Sequence, residues 1–76
     1  MAKIKYSVVI EAADGNYSAY VPELPGCVAV GDTVEETLAQ IKEAIEFHLE
    51  EFVRDGLPIP KPASQTREVI VEVPAA

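Results

Sequence analysis

Reactive side chains are scarce in this 76-residue chain, which holds one cysteine, Cys27, and one histidine, His48, among 13 acidic and 6 basic residues. A cysteine nucleophile needs a base beside it and an electropositive setting that lowers its pKa. The single histidine lies in the most acidic segment, so Cys27 reads as a compact apolar side chain. A transition-metal centre needs several nitrogen or sulfur ligands, and no second cysteine or histidine stands at ligand spacing. His48 falls between Ile45 and Phe52, beside an apolar stripe, and reads as a boundary residue. No metal, no cofactor and no catalytic residue is expected, and the chain is not expected to be an enzyme.

Cys27 closes a knot, Tyr20-Val21-Pro22-Glu23-Leu24-Pro25-Gly26-Cys27. Pro22 has no amide proton to give a sheet ladder and ends the strand before it. Pro25 presets φ for a turn, and Gly26 supplies the backbone angle that often follows such a proline. The knot therefore reads as a bend between two strands, with Cys27 opening the second.

The elements around it are legible from periodicity. Ile4, Tyr6, Val8 and Ile10 alternate with polar neighbours, as a half-buried strand requires. Asp14-Gly15 is a two-residue hairpin signal, so Gly15 is a structural turn residue like Pro25 and Gly26. Tyr17, Ala19 and Val21 form a second strand, and residues 27 to 30 a third. Thr33 with Glu36 makes a capping box, each side chain satisfying a free backbone donor. Val34, Leu38, Ile41, Ile45, Leu49 and Phe52 then recur every three or four residues, predicting a helix over about residues 33 to 55 with that stripe facing the core. Gly56 and Pro58 stop it. Residues 57 to 62 alternate proline with other residues and read as a stiff tether. Val69, Val71 and Val73 alternate again, predicting a fourth strand.

The order β-β-β-α-β predicts an α+β domain: a four-stranded sheet with one helix on one face. A right-handed crossover would place the last strand beside the first. Length allows one domain, residues 1–76, near the lower limit for folding without staples. The uncovered sheet face and the open edges predict a homo-oligomer, dimer or tetramer. No apolar run has secretory or membrane-spanning length, so a cytoplasmic protein is expected. The net charge is −7, without the basic stripe that direct nucleic-acid binding requires. Residues 33 to 55 carry seven acids (Glu35, Glu36, Glu43, Glu46, Glu50, Glu51, Asp55) against Lys42 and Arg54, a net −5.

Residues 6 to 10, Tyr-Ser-Val-Val-Ile, and residues 15 to 27, Gly-Asn-Tyr-Ser-Ala-Tyr-Val-Pro-Glu-Leu-Pro-Gly-Cys, together resemble the HicB-like antitoxin family. Gly31-Asp32-Thr33, Glu36, the run from Glu46 to Leu49 and Gly56-Leu57-Pro58-Ile59-Pro60 extend the resemblance. It implies a truncated ribonuclease-H-like domain that occludes a small basic, mRNA-cleaving (HicA-like) toxin. Typical members add a carboxy-terminal DNA-binding domain; only Pro74-Ala75-Ala76 follow Val73 here, so no separate DNA-binding domain is expected. A ribonuclease-H nuclease would hold two divalent ions with strand and helix carboxylates. The middle of the first strand has no acid.

A toxin met by this family would be drawn by the acidic helix and held near the knot. Leu24 is the expected apolar anchor, exposed because its flanking prolines keep its loop from burying it in a strand. Tyr20 is a second anchor, Glu23 a charged rim, and Pro25 part of the same surface. The alternative is that Leu24 and Tyr20 fill a homo-oligomer interface in a non-catalytic, self-assembling orphan domain with a different partner or none.

Overall fold

The computed structural model describes residues 2–75. Strand β1 (Val9–Ala13), strand β2 (Asn16–Tyr20) and strand β3 (Val28–Gly31) precede helix α1 (Val34–Arg54). The sheet order is β1-β2-β3, antiparallel throughout. Ala13 faces Asn16 across the Asp14-Gly15 turn, the tightest closure a hairpin allows, and Gly15 has φ 79°. The ladder brings Ile10, Ala19 and Ala29 into one lateral row, and Val9, Tyr20 and Val28 into the next. Successive rows point to opposite faces, so the first row meets α1 and the second faces away from it, with Tyr20 and Val28 exposed.

Ladder pairing begins only at Val9, later than alternation suggests. Continuing the register places Ser7 opposite Pro22, which has no amide proton to donate. Residues 4 to 8 therefore lack a β2 partner although Tyr6 and Val8 pack against the core.

Helix α1 starts as its cap dictates. Glu36 N–H donates to Thr33 Oγ1 at 3.0 Å, and Thr33 keeps extended backbone angles. Its end is a Schellman closure: Gly56 N–H donates to the Val53 carbonyl at 3.1 Å and Leu57 N–H to the Phe52 carbonyl at 2.9 Å. The face it buries is rotated from the predicted stripe. Thr37 is fully buried and Ile41 nearly so, whereas Val34 and Leu38 stay exposed. Gly31 is the cause. A Cβ there would stand 2.6 Å from Thr37 Oγ1 and 2.8 Å from Thr37 N, so only glycine lets the first turn of α1 settle this closely on β3. The buried hydroxyl is satisfied by donating to the Thr33 carbonyl at 2.7 Å.

The core is small: Ala19, Val21, Leu24, Cys27 and Ile41, with Ile10, Ala29, Ile45, Leu49 and Phe52 among its half-buried margin. Contacts from α1 fall mainly on β3 and then β2, leaving the inner side of β1 thinly covered.

The fourth strand does not form within the chain. Residues 65 to 75 carry no ladder, and Ile70 is 99% exposed. Alternation equips that segment to be a strand, but a strand exists only against a partner edge. The chain leaves the body before meeting one. Its radius of gyration is 15.3 Å, against about 11 Å for a compact chain of this length. The described architecture is α+β with three strands and one helix.

Candidate functional site

The knot folds back on itself by two successive short turns. Leu24 N–H donates to the Val21 carbonyl at 3.1 Å, and Cys27 N–H to the Leu24 carbonyl at 3.0 Å. Gly26, at φ 84°, allows the second turn to close. Two reversals in seven residues curl the loop over the helix-facing side of the sheet and push Leu24 into the core, where it is 1% exposed. The expectation of an exposed Leu24 anchor is thus corrected. The prolines do keep Leu24 out of a strand, but the turns they nucleate bury it more completely than a strand edge would.

Glu23 is also placed differently from a free rim charge. Its Oε2 accepts from Ser64 N–H at 2.7 Å and from Ala63 N–H at 3.2 Å. Tyr6 hydroxyl donates to the Pro60 carbonyl, and Ser7 hydroxyl to the Ser64 carbonyl at 2.9 Å. Together these four bonds clip the proline-rich strap, residues 57–64, across the start of the chain and the knot. The Ser64 side chain foremost, with the Ala63 and Ser64 amides, holds the Glu23 carboxyl below its ordinary range despite partial desolvation. Burial first and the Glu23 charge second push the Tyr6 phenol above its own. Glu23 Oε1 is buried without a hydrogen-bond partner, an exception to the rule that buried oxygens are satisfied.

Of the four knot residues singled out, the structure leaves Tyr20 and Pro25 on the surface. Tyr20 is 41% exposed and sits between Val9 and Val28 in the row that faces away from α1; Val30, also exposed, belongs to the same face. Sequence reasoning marked Tyr20 as a candidate anchor. It missed the tethering role of Glu23, because the partners lie 40 and 41 positions away.

Cys27 is buried, and burial pushes its thiol up, away from a reactive thiolate. His48 Nδ1 lies 3.2 Å from the Ala44 carbonyl oxygen one turn earlier, an arrangement internal to α1. Among the described residues no group of three His, Cys, Asp or Glu side chains is placed to hold a metal ion. No helix among them is long and apolar enough to cross a membrane. The acids of α1 are spread along its exposed side, with Glu51 half-buried.

A short antiparallel meander under one acidic helix, bent at a proline-glycine knot and exposing Tyr20, Val28 and Val30 on its outer face, defines a small α+β domain. Residues 6–73 match the HicB-like antitoxin of bacterial toxin–antitoxin systems. The chain belongs to the HicB-like antitoxin family. It is 44% identical over 57 residues to a UPF0150 protein of Synechocystis sp. PCC 6803, covering 74% of this chain and 72% of that one. It is 32% identical to Antitoxin HicB 2 of Photorhabdus laumondii over 96% of its own length, but spans only 52% of that protein. An uncharacterized 14.9 kDa protein of Haemophilus phage HP1 is 41% identical over 74% of this chain, which spans 42% of the phage protein. Among solved structures, a chain of a HicA3 and HicB3 toxin–antitoxin complex superposes with a TM-score of 0.65 at 27% identity, covering 79% of this chain and 70% of that one.

Proposed function

We propose that this chain is a non-catalytic antitoxin that neutralises a small basic, mRNA-cleaving toxin of the HicA-like class by covering it. The observation that carries this reading is the likeness to a chain from a HicA3 and HicB3 toxin–antitoxin complex, joined to the family match over residues 6–73. A net charge of −7, concentrated on α1, would speed encounter with a basic partner and make that encounter salt-sensitive. Tyr20, continued by Val28, supplies an apolar patch on the outer sheet face for the toxin to rest on, and Pro25 is exposed on the knot that follows. Leu24 and Glu23 serve this patch indirectly, Leu24 by packing the knot onto the core and Glu23 by clipping the strap to the knot.

The bare sheet face also favours a second reading, in which Tyr20, Val28 and Val30 join copies of an orphan domain that has no toxin. Co-expression with the product of an adjacent gene encoding a small basic, histidine-containing protein separates the two. Rescue of growth by the wild type, lost in a Tyr20→Ala protein that keeps its fold and its oligomeric state, supports the antitoxin reading. Failure of the wild type to bind or neutralise the neighbouring product overturns it.

A further inference from the structure

The carboxy-terminal tail and a groove beside the residues that lead into β1 are both apolar and both uncovered. The groove, about 710 Å³, runs between the start of the chain and the exposed flank of α1, and Ile4, Tyr6, Val8, Leu38, Ile45 and Leu49 are among its lining. It lies open because α1 packs over β3 and β2 and not over the residues that lead into β1. Sheet order makes β1 an edge strand, and residues 4 to 8 have no ladder partner from β2. An unpaired edge above an apolar trough lacks one strand whose inward side chains are apolar.

That strand is present in the chain and is not in the trough. Residues 67–73 read Arg-Glu-Val-Ile-Val-Glu-Val, and Val69, Val71 and Val73 share one side of the period-two pattern. These valines are 79%, 72% and 86% exposed. The strap is pinned at Ser64 by Ser7 and Glu23, and from that clip the tail runs outward, giving the molecule a 56 Å long axis against 27 and 20 Å across. Eleven residues past the clip reach roughly 36 Å when extended, enough to cross onto a neighbouring molecule.

We infer that the tail, residues 67–73, adds as a strand along residues 4–8, the unpaired lead into β1, of a second copy, with its valines in that copy's groove, while the second copy's tail does the same in return. The tail's outward course is what assigns the groove to another copy. The exchange is isologous, so one two-fold axis satisfies both tails and closes the assembly as a dimer. Strand addition satisfies the open backbone groups of residues 4–8, and the valines supply the burial that a five-residue core does not. The groove and the outer-face patch of Tyr20 lie on opposite sides of the sheet, so this dimer leaves the proposed toxin surface free.

Sedimentation equilibrium of the full chain tests this. The wild type is expected at twice its 8.2 kDa chain mass. Val71→Asp places a charge in the trough and should weaken the dimer on the order of a hundredfold, with helix content unchanged because Val71 is 72% exposed in its own chain. Leu38→Asp, on the exposed lip of the groove, should do the same, whereas Val28→Asp on the outer face should leave the dimer intact. An equimolar mixture of Val71→Asp and Leu38→Asp chains restores one of the two exchanges and should dimerise more tightly than either alone. A wild type that stays monomeric at hundreds of micromolar, or a dimer that survives Val71→Asp, overturns the inference.

Discussion

Glu23 and Ser64 lie 41 positions apart in sequence, yet the Ser64 amide donates to Glu23 Oε2 at 2.7 Å. That contact fastens the strap to the knot, and it depends on a carboxylate. The folded Glu23 pKa is lowered from its ordinary 4.5. A lowered acid stabilises the clipped state fully above the unfolded pKa and loses that contribution as pH falls through the folded value. The Ala63 and Ser64 amide resonances of the wild type should therefore move together at a pH below 4.5. In Glu23→Gln they should show no such transition, and their hydrogen exchange at neutral pH should be faster. Identical pH profiles for the two proteins would show that the strap is held by something else.

Two glycines should fail for different reasons. At Gly26 nothing lies within 4 Å of a built Cβ, so Gly26→Val pays only for its positive φ, about 1–3 kcal/mol. At Gly31 the Thr37 backbone nitrogen stands 2.8 Å from the added atom, and Gly31→Ala should cost about 1–3 kcal/mol through overpacking. The two are told apart by a second change. Gly26→Asn should recover most of the loss because asparagine tolerates the left-handed region, whereas Gly31→Asn should be worse than Gly31→Ala. Urea denaturation of the four variants measures both comparisons.

Leu24 and Cys27 are both core residues, and they should differ by size. Leu24→Ala should cost about 2–5 kcal/mol by transfer and cavity, a large part of the roughly 4–11 kcal/mol available to a chain this long. Leu24→Met should cost less than about 1.5 kcal/mol. Cys27→Ala removes one sulfur and should cost on the order of 1 kcal/mol, and the wild-type thiol should resist alkylation until the domain unfolds. Chemical denaturation with a thiol-accessibility assay checks all three. A Leu24→Ala protein as stable as the wild type would return Leu24 to the surface and revive it as an anchor.

What the sequence determined by itself is the local grammar. The Asp14-Gly15 hairpin, the Thr33 cap, the Gly56 stop and the bend at Pro25-Gly26 were legible because each rests on a backbone preference carried by neighbouring residues. Residues 15 to 27 carried the family for a similar reason, as one continuous run. Alternation also marked residues 67 to 73 as strand-like and named the valines that would face a core. The tertiary structure decided where those pieces meet. Leu24 went inward because two turns close in sequence, and Thr37 displaced Leu38 from the core because Gly31 admits the helix to its backbone. Glu23 became a clip because a strap 40 residues away returns to it. The tail's partner edge was the least legible of all: period two records which side chains share a face, while the choice of edge depends on where a pinned chain is aimed.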